Sequence, residues 1–92
     1  MDNHLMLDLD IIKDERLNAS TLALFIYLAK ETDKNGILVA SGEELKVIGR
    51  NKDLQTLLSR INTLEEYGYL ERLDKVNRKS CYKLNRNFYY KG

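Results

Sequence analysis

Apolar residues recur at two periods along this chain, and the changes of period mark its elements. In HLMLDLDII, Leu5, Leu7, Leu9 and Ile11 fall on one side at period two, while Asp8 and Asp10 point the other way. That alternation predicts a short half-buried strand or extended arm over residues 1 to 12. LNASTLALFIYLAKETDKNG then shifts to the helical period through Leu22, Phe25, Ile26 and Ala29, with Leu24 and Leu28 widening the stripe. Asn18 or Ser20 is placed to cap a first helix over residues 18 to 32, and Asp33-Lys34-Asn35-Gly36 ends it with turn chemistry. Ile37-Leu38-Val39 is long enough only for a strand. Ser41 caps a second helix over residues 41 to 48, with Glu43 and Glu44 where the helix dipole favours negative charge. Leu45 and Ile48 face inward, and Gly49 stops it.

After Arg50-Asn51-Lys52-Asp53, a third helix over residues 52 to 67 carries Leu54, Leu57, Leu58, Ile61 and Leu64 as one apolar stripe. It closes at Gly68, a helix-ending glycine. YLERLDKV, a polar NRK corner and SCYKL then form a β-hairpin over residues 69 to 86. Alternation along the returning strand turns Tyr82 and Leu84 inward, to meet Leu70, and turns Cys81, Lys83 and Asn85 outward. The fold class expected is α+β, one domain over residues 1 to 92, with a three-helix core and a C-terminal hairpin.

Composition narrows the setting. Hydrophobic residues at 43% and charged residues at 32% describe an ordinary globular chain, without proline or internal repeats. No apolar run approaches the roughly 18–20 residues that span a bilayer. The acidic start MDNHLMLDLD is unlike a signal peptide, and the lone Cys81 cannot form an internal disulfide, so a cytoplasmic protein is expected. Catalysis has little to stand on. His4 and Cys81 lack metal-ligand spacing, none of the five glycines forms a phosphate loop, and Glu43-Glu44 and Glu65-Glu66 do not face each other on a helix. Neither an enzyme nor a cofactor or metal is expected.

Charge adds a direction. The net value is +1, yet residues 1 to 45 hold four basic and nine acidic side chains, and residues 46 to 92 hold eleven basic and five acidic. No acid follows Asp74, while Lys75, Arg78, Lys79, Lys83, Arg86 and Lys91 do. At 100° per residue the third helix sets Lys52, Thr56, Ser59 and Thr63 opposite its apolar stripe, flanked by Gln55, Arg60 and Asn62. Gln and Arg suit bidentate contacts to base edges, and cations at a hairpin tip suit phosphates. The candidate DNA-contacting residues are therefore Arg50, Asn51, Lys52, Gln55, Thr56, Ser59 and Arg60 on the helical side. On the hairpin they are Lys75, Asn77, Arg78, Lys79 and Lys83. A solvated helix face and a basic turn are the plainer readings of the same residues.

A short helix joined by a turn to a longer one, then a hairpin, is the order of a winged helix-turn-helix. TLLSRINTLEEYGYLERL resembles the end of a winged-helix recognition helix running through Leu-Glu-x-x-Gly into the wing. RKSCYKLN resembles the returning wing strand, with its Tyr-x-Leu. IIKDERLNASTLALFIYLAKETDKNGILVASGEEL resembles the opening of winged-helix domains in phage and plasmid replication initiators and replisome organisers. The likeness runs over roughly residues 9 to 86, and it departs in the RNKD turn, which is longer than in the commonest members. It implies double-stranded DNA as partner, a homodimer, and a part in transcription control, replication initiation or plasmid partition. The alternative it leaves is a winged-helix protein-interaction module whose partner meets the acidic, leucine-rich N-terminal half.

Overall fold

The structure, a computed structural model, describes residues 4–92, and these build an α+β fold of four helices and two small antiparallel sheets. In chain order the elements are β1 (Leu5–Leu7), α1 (Leu9–Ile12), α2 (Ala19–Lys30), β2 (Ile37–Ala40), α3 (Gly42–Ile48), α4 (Leu54–Glu66), β3 (Leu70–Val76), β4 (Lys79–Leu84) and β5 (Tyr89–Lys91). No helix among the described residues is long and apolar enough to cross a membrane.

The N-terminal segment departs from the expected arm. The first three residues of that arm lie outside the described residues. Alternation holds through β1, which pairs antiparallel with β5 of the same chain, Leu5 opposite Lys91 and Leu7 opposite Tyr89. Asp8 then accepts a hydrogen bond from the Asp10 amide and caps the single turn α1, so Leu9 swings out to solvent while Ile11 enters the core. Much of the apolar surface of this segment is thus spent inside its own chain.

α2 begins where Asn18 accepts the Thr21 amide at 2.8 Å, and it buries Leu24, Phe25, Leu28 and Ala29. Ile26, expected at the centre of the stripe, is only half-buried: Leu24 and Leu28 form the middle of the buried face, not its edge. Lys91 reaches back from β5 to donate to the carbonyls of Lys30 and Thr32, each at 2.7 Å, and so covers the C-terminal end of α2. β2 does not stand alone. It joins the hairpin in a three-stranded sheet ordered β2-β4-β3, with Leu38 opposite Tyr82 and Leu70 opposite Leu84. Tyr82 and Leu84 point into the core beside Leu57, Ile61 and Leu64 of α4. Cys81 lies on the outer sheet face as alternation requires, yet it is only 6% exposed, with Val39 and Leu73 as its cross-strand neighbours.

Two details hold the helices in place. Gly49 closes α3 against α4 so tightly that a Cβ there would lie 2.7 Å from Leu57 Cδ2 and 3.1 Å from the Leu45 carbonyl. At the end of α4, Gly68 takes φ 83°, its amide bonds the Glu65 carbonyl and the Tyr69 amide bonds that of Leu64. That pair of bonds is a Schellman ending, which turns the chain into β3. The root of the hairpin is pinned from the other side. Asp14 accepts the Tyr69 hydroxyl and a two-toothed contact from Arg16, whose guanidinium lies 4.0 Å from the centre of the Tyr67 ring. The Arg16 partner, with Tyr69 second, holds the Asp14 carboxyl far below the usual carboxylate range, and burial is the main cause that raises the Tyr69 phenol.

Candidate nucleic-acid interface

The segment between α3 and α4 is a built turn, and that decides where the polar face of α4 begins. Ser41 and Glu44 cap α3 reciprocally, side chain to backbone in both directions. After Gly49 the chain takes φ 54° at Arg50, a left-handed conformation that costs a branched side chain. The Arg50 guanidinium lies 4.6 Å from the centre of the Tyr27 ring on α2, so this cation is partly engaged. Asn51 is a turn residue: its amide bonds the Lys46 carbonyl and its side chain accepts the Asp53 amide at 2.8 Å. Lys52 is exposed but precedes the helix, because Asp53 caps α4 by accepting the amides of Gln55 and Thr56. The helix expected from residue 52 thus begins at Leu54, and Lys52 is corrected to a position before it.

The outward direction of α4 also shifts. Leu57, Ile61 and Leu64 are fully buried, whereas Leu54 and Leu58 are half-buried flank residues. The exposed stripe is Gln55, Ser59, Asn62 and Glu66, spaced at four and three. Thr56, Arg60 and Thr63 move to the side facing α2, all half-buried. The Thr56 hydroxyl donates to Asp53 at 2.8 Å, the largest cause of that carboxyl's lowered pKa. Five apolar residues make a stripe too wide to fix its own centre, which is why periodicity alone put Thr56 outward and Gln55 at the edge.

The hairpin projects from the body. From Glu71 to Arg78 every residue is exposed, and Asn77 and Arg78 form the tip with φ 50° and 67°. Two successive left-handed residues make a type I′ turn, whose preferred sequence is Asn-Gly. An arginine therefore occupies a position where glycine is the stable choice. Arg78→Gly is expected to raise unfolding stability by about 0.5–1 kcal/mol, the left-handed penalty less the entropy of the added glycine. Thermal melting checks this, and a loss of stability would mean that the tip is held by something other than its backbone.

Not every cation of the hairpin is free. Lys79 Nζ lies 2.9 Å from Glu44 Oε1 and ties β4 to the start of α3, so acidic and basic halves of the chain meet here instead of occupying separate faces. Lys83 is directly opposite Glu71 on the outer sheet face, away from the tip. Lys75, Asn77 and Arg78 remain fully presented. One positioning residue escaped sequence reasoning. Arg72 hydrogen-bonds Asn62 and lies 3.7 Å from Glu65 Oε1, which fixes β3 against the exposed stripe of α4. Its signal was its place two residues after Leu70, on the same strand face.

Glu44 gives the interface a pH dependence. Its carboxyl is lowered from 4.5 to about 2, first by the Ser41 amide and next by Lys79. A depressed carboxyl contributes stability that is fully present above its unfolded value and is lost as pH falls through its folded value. Glu44→Gln keeps a residue that can complete the capping box but removes the ion pair. The variant is expected to melt below the wild-type chain at pH 6, with the difference closing between pH 4.5 and about 2. A difference that persists unchanged at pH 2 would contradict the Lys79 contact.

An open cleft of about 850 Å³ lies elsewhere, where Glu65 and Glu71 meet Lys83 and Arg86. That cleft carries charges of both signs and lies apart from the hairpin tip. Among the described residues no group of three or more His, Cys, Asp or Glu side chains could hold a metal ion. Comparison with protein-family models, with curated proteins and with solved structures gave no match.

Proposed function

We propose that this chain is a winged helix-turn-helix domain that binds double-stranded DNA. α3 and α4 are the helix-turn-helix, and β3 and β4 are the wing. Gln55, Ser59 and Asn62 face base edges in the major groove, and Lys75, Asn77 and Arg78 hold phosphates beside it. The observation that carries this reading is continuity. The exposed stripe of α4 holds no acid before Glu65, and through the Asn62–Arg72 contact it borders a projecting strand that leads to a cationic tip. Lys52 and Arg50 add positive charge at the other end of the helix. Two copies on half-sites about one helical turn apart would supply specificity that one small domain lacks. Control of transcription, of replication initiation or of partition all use such a domain.

A second reading has its own support. Met6 and Tyr90 are cross-strand neighbours on the β1–β5 ribbon and are 62% and 65% exposed, and Leu9 and Ile12 are exposed on α1. That surface suits a protein partner. Selection of bound duplexes from a random pool separates the two. Enrichment of a motif, palindromic or directly repeated, supports DNA recognition. A pool that returns without enrichment favours the interaction module.

A further inference from the structure

Beside the exposed stripe of α4 runs a second, separate polar feature. It is an open groove of about 430 Å³ between the start of α2 and the flank of α4, lined by Asn18 and Thr21 on one side and by Gln55, Ser59 and Arg60 on the other. Thr56 and Thr63 also border it, but their hydroxyls already donate to Asp53 and to the Ser59 carbonyl. Two side chains in it have no partner within the described residues. The Asn18 side chain is already taken by the Thr21 amide. Thr21 is only 3% exposed, yet no hydrogen bond engages its hydroxyl. Arg60 is half-buried at the groove and pairs with no carboxylate.

A hydroxyl donor that opens only onto the groove and an unpaired guanidinium across from it are the chemistry of an oxyanion site. We propose that this groove holds one phosphodiester of the bound duplex. The proposal rests on the DNA-binding reading above and moves Arg60 from base reading to phosphate holding. Gln55 and Ser59 line both the groove and the exposed stripe. A duplex whose groove edge meets those two residues therefore brings a strand backbone alongside Arg60. Asp53 does not repel that phosphate strongly, because its carboxylate is already bonded to the Thr56 hydroxyl and to the first amides of α4.

The test scans a selected duplex with single neutral methylphosphonates, using the full chain, Arg60→Gln and Thr21→Val, the last an isosteric loss of the hydroxyl. For the wild-type chain one phosphate position should matter severalfold that remains important in Arg78→Ala. Its effect should vanish in Arg60→Gln and shrink in Thr21→Val. Arg60→Gln should also weaken specific and scrambled duplexes alike and flatten the slope of log K against log salt by roughly one. If Arg60→Gln instead changes the preferred base, Arg60 reads sequence and the subsite is wrong. If both variants give the wild-type scan, the groove takes no phosphate, although DNA binding stands. A wild-type chain that binds no duplex overturns the DNA-binding reading itself. Should Thr21→Val melt early, the surface variant Arg60→Gln decides alone.

Discussion

Ile61→Ala is expected to lower unfolding stability by about 2–4 kcal/mol, from lost transfer energy plus the cavity left behind. Ile61 is fully buried at the centre of the α4 stripe, in one core cluster with Phe25 and Leu28 of α2 and Tyr82 and Leu84 of β4. These neighbours come from two other elements, so none can close over a deleted side chain without moving a helix or a strand. Chemical denaturation measures the change. A loss below about 0.5 kcal/mol, the range of ordinary surface substitutions, would mean that α4 packs on another face.

Gln55→Ala and Arg78→Ala should divide cleanly. Gln55 is exposed in the first turn of α4, where a bidentate contact to adenine would supply about 1–3 kcal/mol of discrimination. Its loss should change which duplexes are selected, with little effect on scrambled DNA. Arg78 at the tip carries no sequence information if it contacts phosphate. Its loss should weaken specific and scrambled duplexes equally and flatten the salt slope by roughly one unit. Lys79, expected beside it as an equal phosphate contact, should contribute less, because any such contact competes with Glu44 at 2.9 Å. An Arg78 change confined to the selected duplex would place the tip in a groove, reading bases.

The long periodic segments and the short strands β1 and β2 were legible, whereas β5 and α1 were not. α2, α3, α4 and the hairpin follow from apolar spacing together with Asn18, Ser41 and Gly68, each of which satisfies or ends a helix as its chemistry requires. β5 was missed because three residues show no period, and its partner β1 lies at the far end of the chain. α1 was hidden in an alternating Leu-Asp run, in which Asp8 serves equally as an outward strand residue or as a cap. In the candidate site, the wing tip was legible because alternation and the NRK corner fix it. The start of α4 was not. Lys52 is as good a helix former as any exposed residue, and only the bonds of Asn51 and Asp53 exclude it from the helix. Charge counting likewise could not see that Lys79 and Lys83 sit beside Glu44 and Glu71.

Fluorescence anisotropy of the wild-type chain on random-sequence duplex DNA, titrated from about 50 to 300 mM salt, tests the central claim most directly. Binding at low salt is predicted, with log K falling linearly against log salt at a slope worth several phosphate contacts. No binding at about 50 mM salt, or binding indifferent to salt, would contradict the assignment of α4 and the β3–β4 hairpin to DNA.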